Sequence, residues 1–222
     1  MKNTSTKILF WCLLLFLLLA VLYGFRHPLL QGMGGYLAPS ESMKADAVII
    51  EGSKIIETVA VRQAVRFLKS GRATKIILVI HEVPDGEKIF SLPASYAHLV
   101  HGALIKEGLK TTEFKILNCP VGHPVTLAEA ECVLTRLSEE KLRSVILVAK
   151  SFHTRRSLLA YKKAGKGRNI AFYPSPYFAG YRLEAWWLKA DGFRDYFSEA
   201  LKLFYYILRG YIPLRSFFTI NI

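Results

Sequence analysis

The chain has 222 residues, 52% of them hydrophobic, enough to bury one ordinary core with room for a membrane segment besides. Thirty Lys and Arg against 17 Asp and Glu give a formal charge of +13, which favours an anionic surface or ligand. The basic residues are spread along the chain without any helix-turn-helix, zinc-finger or RNP-like pattern, so no nucleic acid is expected and anionic lipid headgroups fit better.

From Ile8 to Phe25, ILFWCLLLFLLLAVLYGF carries no charge, and at about 1.5 Å per residue it covers roughly 27 Å, nearly a bilayer core. Its length, and the lack of a small-x-small site in the following FRHPLLQG, predict a retained single-pass anchor over a cleaved signal. Lys2 and Lys7 on one side against Arg26 and His27 on the other lean the remainder out of the cytoplasm, across a plasma (inner) membrane. Residues 1–25 therefore read as tail and anchor. The Gly, Pro and Ser of PLLQGMGGYLAPSESMK make 26–43 a linker, and 44–222 the globular domain.

In that domain ADAVIIE (Ala45 to Glu51) predicts a buried strand, and Val59, Val61, Val65 and Leu68 the inner face of a helix closed by Gly71. KIILVI (Lys75 to Ile80) is the second strand, ending at His81 and Glu82. A loop with Pro84, Asp85 and Gly86 leads past Pro93 to a helix from Ala94 to about Glu107. Phe114 to Leu117 is a third strand. After a loop holding Pro120, His123 and Pro124, Thr126 caps a helix from about Leu127 to Leu137, with Glu129 in a capping-box position. Val145 to Val148 is the fourth strand and Leu158, Leu159 and Tyr161 the stripe of the next helix, stopped at Gly165. Asn169 to Tyr173 is a fifth strand, broken by Pro174 and Pro176. A C-terminal helix spans about Phe193 to Leu208, and its aromatic region is expected to pack on the core, with a place on the bilayer as the alternative. Strands alternating with helices predict an α/β, Rossmann-like three-layer sandwich with a mainly parallel sheet of about five strands.

Open α/β sheets place ligands at the carboxyl ends of their strands, which selects the turn after the fourth strand, SFHTRRS. His153 there suits acid/base work or donation to a phosphate. Arg155 and Arg156 differ by about 100° on a helix, so one of them is expected to face solvent, and Arg156 is the one assigned to the site. Ser151 lacks the glycines of a nucleophile elbow and reads as a helix cap that also reaches the ligand. Glu51, His81 and Glu82 at neighbouring strand ends offer carboxylates and an imidazole, with Gly52 and Ser53 in the first turn. His123 and Thr126 stand before a helix that faces the same crevice, and Arg62 on the first helix is a further candidate anion contact. EGSKIIE is not a dinucleotide fingerprint, so no cofactor is expected. Cys12 lies in the anchor. Cys119 and Cys132 form no CxxC or Cys/His spacing, so no metal is expected, and two buried thiols are the plainer expectation than a disulfide.

These pieces, in this order, resemble the YdcF-like family, which includes envelope proteins of the SanA and ElyC type. ADAVII with Gly52 is similar to the family's first strand and glycine turn, VRQAVRFLKSG to its arginine-bearing first helix, and KIILVI to its second strand. Ser95 and Ala97 with KEGL resemble a further helix, VTLAEA the threonine-led helix start, and SFHTRRS the signature that places Ser151, His153 and Arg156 on motif positions. The chain departs from the pattern after the first strand, where more glycine is usual. It departs again after the second, where His81 and Glu82 replace a Ser/Thr-Gly-Gly turn, and near Thr126, where the usual asparagine is Glu129 or has no counterpart. The resemblance implies a Rossmann-like fold, a membrane-anchored setting and a role in the cell envelope or its barrier.

The functional expectation is a membrane-anchored domain binding an anionic, phosphorylated small molecule or lipid-linked precursor. If it is catalytic, His153 is the acid/base, Glu51 or Glu82 the carboxylate partner, and Arg62 and Arg156 the anion clamps, for phosphoryl or glycosyl-phosphate chemistry. The alternative is a non-catalytic envelope factor acting through lipid or protein contacts.

Overall fold

The computed structural model describes residues 2–53, 56–82, 92–120 and 122–218, and the side chains of all of these except 2–6, 53, 82, 92–96, 216 and 217. The expected loop through Pro84, Asp85 and Gly86 lies outside the described residues. Five strands, β1 (Ala47–Ser53), β2 (Lys75–Glu82), β3 (Phe114–Pro120), β4 (Ser144–Lys150) and β5 (Ala171–Tyr177), pair in the order β3-β2-β1-β4-β5, every pair parallel. The order reverses between β1 and β4. At such a switch point the connections leave the sheet on opposite faces and open a crevice above the strand ends.

The helices are α1 (Lys2–Gly24), α2 (Arg26–Leu37), α3 (Thr58–Lys69), α4 (Leu92–Lys106), α5 (Val125–Glu139), α6 (His153–Ala164), α7 (Ala190–Leu208) and the short α8 (Arg215–Phe218). Strand periodicity divides the core. Val48, Ile50, Ile76, Leu78, Ile146 and Val148 turn to α3 and α4, while Ala47, Ile49, Ile77, Val79, Val145 and Leu147 turn to α5 and α6. Asp46 pins the starts of the two central strands. Its Oδ2 accepts the Arg143 and Ser144 N–H groups at 2.7 and 2.8 Å, and those bonds, Arg143's foremost, hold its carboxyl below the usual range.

Three local expectations are corrected. β5 runs on through Pro174 and Pro176 to Tyr177, because it is an edge strand and a missing N–H costs nothing on the unpaired side. Residues 26–37 are helix α2 and not a linker. α2 is held by Arg155, only 1% exposed, whose guanidinium lies 3.8 Å from the centre of the Tyr36 ring and whose Nη1 donates to the Tyr36 carbonyl at 3.3 Å. So neither arginine of the pair faces solvent. Cys119, ending β3, and Cys132, in α5, form a disulfide and are not free thiols.

α2, α7 and a 3-10 turn (Leu183–Leu188) form a fourth layer over α6. Its centre is Phe152, fully buried, with Phe178, Tyr181, Trp186 and Tyr196 at centroid distances of 5.3 to 6.1 Å. The inner side of α7 packs on the core as expected. Its outer side does not. At the other end, Lys7–Gly24 of α1 is long and apolar enough to cross a membrane, with none of it buried. Hydrogen bonds from the Phe25 N–H to the Val21 carbonyl and from the Leu29 N–H to the Phe25 carbonyl flank the single turn residue that separates α1 from α2.

The disulfide closes a short loop, 13 residues in sequence separation. Alkylation of the denatured full-length protein should modify Cys12 alone before reduction and all three cysteines after it. Reduction should lower stability by about 3 kcal/mol on the loop-closure model. Labelling of three thiols in the unreduced protein would refute the pairing.

Candidate functional site

The same alternation that sends Ile49 and Val79 toward α5 and α6 sends Glu51 and His81 to that side, at the open ends of β1 and β2. On α6, His153, Arg156, Ser157 and Tyr161 are three or four residues apart and share the face that meets them. Thr126 and Glu129 come from the first turns of α5, and Glu199, Lys202 and Tyr206 from α7. Together they surround a cavity of ≈ 510 Å³ lined by residues that include Gly52, His81, His123, Thr126, Glu129, His153, Arg156, Lys202 and Tyr206.

Two imidazole and carboxylate groupings occupy its floor. His81 Nε2 lies 2.6 Å from Glu129 Oε2, while the other oxygen of Glu129 accepts from Tyr161 Oη at 3.0 Å and the Gly52 N–H at 3.3 Å. His153 Nε2 lies 3.3 Å from Glu51 Oε1, which also accepts from the Ser157 hydroxyl, and Glu51 Oε2 is buried with no hydrogen-bond partner among the described residues. Arg156 ties this floor to α7. Its Nε donates to Glu199 Oε2 at 2.9 Å and its Nη1 to Thr126 Oγ1 at 2.6 Å. Charge is mixed here: Arg156, Lys202, Glu129 and the histidines His81, His123 and His153 line the cavity, with Glu51 and Glu199 paired to His153 behind them.

Electrostatics fixes where the protons are. The hydrogen bond to Glu129 raises His81, and burial raises Glu129 against that bond, so the pair holds a proton between them. Burial works against charge on His153, but the Glu51 carboxylate and the bonds to Glu199 and Glu51 outweigh it and raise it to about 9. Burial pulls Glu199 up, yet the bond and charge of His153, with Arg156 and Lys202, hold it well below the usual carboxylate range. Burial and the neighbouring carboxylates Glu129 and Glu51 push Tyr161 well above its ordinary value, so it remains a phenol that donates. His153 Nδ1 faces both Glu199 Oε2 at 3.3 Å and Arg156 Nη2 at 2.8 Å. In the charged ring its proton goes to Glu199, and in the neutral ring Nδ1 accepts from Arg156.

Of the residues singled out from sequence, Glu51, Gly52, His81, His123, Thr126, His153 and Arg156 are brought together. Ser53 and Glu82 end their strands, and their side chains lie outside the described residues. Two assignments are corrected. Arg62 is a solvated helix arginine, its side chain 65% exposed and 4.0 Å from Glu107. Ser151 is buried and serves the backbone: it takes a left-handed conformation (φ 38°), its N–H donates to the Tyr177 carbonyl, and its own carbonyl accepts the Thr154 hydroxyl. It is not the cap of α6, nor is Thr126 the cap of α5, since Phe152 and Pro124 hold those positions. Sequence reasoning missed Glu129 as a site residue, along with Ser157, Tyr161 and Glu199. The spacing of Ser157 and Tyr161 from His153 was the available signal for the first helix, and nothing local marks Glu199.

Two measurements check this geometry. His153 is raised, so its contribution to stability is complete below its ordinary value near 6.5 and is lost as pH rises through about 9. The unfolding midpoint of the detergent-solubilised full-length protein should therefore fall between pH 7 and pH 10, by the equivalent of at most about 3 kcal/mol. His153→Asn should flatten that fall, and an unchanged slope would refute the assignment. A Cβ at Gly52 would stand 2.5 Å from His81 Nε2 and 2.9 Å from Glu129 Oε2. Gly52→Ala should cost about 1–3 kcal/mol and return the NMR titration of His81 toward its ordinary value.

No family model matches the chain, and neither a curated protein nor a solved structure matches it. A functional reading therefore rests on the cavity and its chemistry.

Proposed function

We propose that this chain is a membrane-anchored α/β protein of the YdcF-like kind that binds a phosphorylated, hydroxyl-bearing ligand at the ends of β1, β2 and β4, in the service of the cell envelope. The observation that carries the reading is the convergence of Arg156 and two carboxylate-paired imidazoles on one cavity of ≈ 510 Å³. Arg156, His153 and Lys202 supply cationic donors suited to a phosphate. A ligand of charge alone would meet the Glu129 carboxylate as well, so the fit favours one that also brings hydroxyl donors.

The proton inventory limits what the site does if it turns a substrate over. With His153 raised to about 9, it is a cation at neutral pH and acts as donor or general acid, not as a base. The His81 and Glu129 pair is the better reservoir for accepting or returning a proton, because its proton is shared. His81 stands where the resembled pattern has a glycine turn and Glu129 near its usual asparagine, and the two bond to each other. That coupling supports a ligand or chemistry different from that of relatives with the glycine turn.

α1 is read here as the anchor in a plasma (inner) membrane, with the domain outside the cytoplasm. The Cys119 to Cys132 disulfide supports that side, since such bonds persist in oxidising compartments.

The test is calorimetric titration of the detergent-solubilised full-length protein with inorganic phosphate and with a sugar phosphate. Arg156→Lys preserves the charge opposite Glu199 but loses the planar fork, and it should weaken both about 10-fold or more. The sugar phosphate should bind more tightly than phosphate to the wild type, and Glu129→Gln should reduce that preference. Absence of binding, or equal affinity in wild type and Arg156→Lys, would overturn the reading.

A further inference from the structure

The polar cavity leaves the outer side of α7 unexplained. Phe193, Phe197, Leu201, Phe204 and Leu208 are each half or more exposed, and at about 100° per residue they fall within a sector of about 80°. This stripe borders a groove of ≈ 510 Å³ between α2 and α7, whose walls include Leu29, Met33, Leu37, Ala200 and Leu203 and carry no charged side chain. A continuous apolar surface of that kind marks a contact with something.

The route of the chain says what. Where the apolar run of α1 ends, the Arg26 guanidinium lies 3.9 Å from the centre of the Tyr23 ring and Nη1 donates to the Tyr23 carbonyl. The next residue, His27, stands 5.6 Å, centroid to centroid, from Trp187, three residues before α7 begins. Tyr, Arg, His and Trp gathered at the end of an apolar helix are the composition of a membrane–water boundary. Only the turn at Phe25 separates α1 from α2, and His27 just beyond it meets Trp187, so the first turn of α7 lies beside the point where α1 would leave the bilayer. Exposed Lys189, Arg209 and Arg215 flank the stripe, as anionic headgroups require.

We propose that the outer face of α7 is a second membrane contact: Phe193, Phe197, Leu201, Phe204 and Leu208 lie in the interfacial region of the same bilayer that α1 crosses, with the domain resting on its surface. The neighbouring side of α7 carries Lys202 and Tyr205 to the polar cavity, so this docking sets the cavity mouth at headgroup level. The proposal rests on α1 spanning the bilayer and is independent of what fills the polar cavity.

The test uses full-length Cys12→Ser protein, disulfide intact, in vesicles of phosphatidylcholine and phosphatidylglycerol, with nitroxide labels at single introduced cysteines. Leu15→Cys in α1 reports the anchor, Leu201→Cys and Leu208→Cys the stripe, and Arg66→Cys, exposed on α3 across the sheet, the aqueous reference. The stripe labels should be several-fold more accessible to oxygen, relative to a water-soluble nickel chelate, than the Arg66 label. Stripe labels as exposed to nickel as Arg66 would overturn the docking while a lipid-facing Leu15 left the anchor intact. Stripe labels shielded from both reagents and broadened by spin coupling would also overturn it, assigning the face to a second copy of this chain.

Discussion

Two buried carboxylates and a third that is largely buried stand above the strand ends of this protein, and the arrangement of everything around them follows from the cost of leaving such groups unpaired. Glu129, 3% exposed, is met by an imidazole, a phenol and a backbone N–H. Glu51 is met by a hydroxyl and an imidazole on one oxygen, and Glu199 by a guanidinium, an imidazole and an ammonium. α6 supplies Tyr161, Ser157, His153 and Arg156, β2 supplies His81, β1 supplies the Gly52 N–H and α7 supplies Lys202, so the network closes only when β1, β2, α5, α6 and α7 are all in place. Glu51 Oε2 is buried and has no hydrogen-bond partner among the described residues.

The wall supplied by α7 sets this domain apart from a bare three-layer sandwich. Glu199 reaches the cavity because α7 packs over α6 through Phe152, Trp186 and Tyr196, and α2 is locked against the same layer by the buried guanidinium of Arg155. Successive arginines on α6 thus divide the work. Arg156 faces the cavity and Arg155 faces the opposite side, where it fastens the helix that continues the apolar α1. The cavity wall and the fastening of α2 share one helix, and a displacement of α2 would be felt at Arg156 through a single peptide unit.

Much of this was legible in the chain. The strands, their parallel pairing and the crevice above them follow from apolar runs alternating with helical spacings, because burial on both faces of a sheet requires continuous β-branched stretches. That His153, Arg156, Glu51, Gly52 and His81 converge was legible for a related reason: polar residues at the end of an apolar strand have nowhere to go but the crevice. Arg62 and Ser151 satisfied the same rule of type and position and belong elsewhere, one in solvent and one in a backbone turn. Glu129 matched the capping-box spacing at the start of α5, and that local explanation concealed its bond to a histidine 48 positions away. Residues 26–37 looked like a linker because Gly and Pro weaken helix propensity, a preference that packing against Arg155, Trp186 and α7 overrides.

By itself the sequence determined the fold class, the apolar length of α1 and the turn that opens onto the crevice, since these depend on hydrophobic period and length, which are local. Only the tertiary structure decided that His81 meets Glu129, that Glu199 closes the site from the C-terminal helix, that Cys119 pairs with Cys132, and that one side of α7 is left apolar and uncovered. Each of these is a contact between segments far apart in the chain. Which buried charge finds which partner is set by the packing of whole helices on the sheet, and no window of residues contains it.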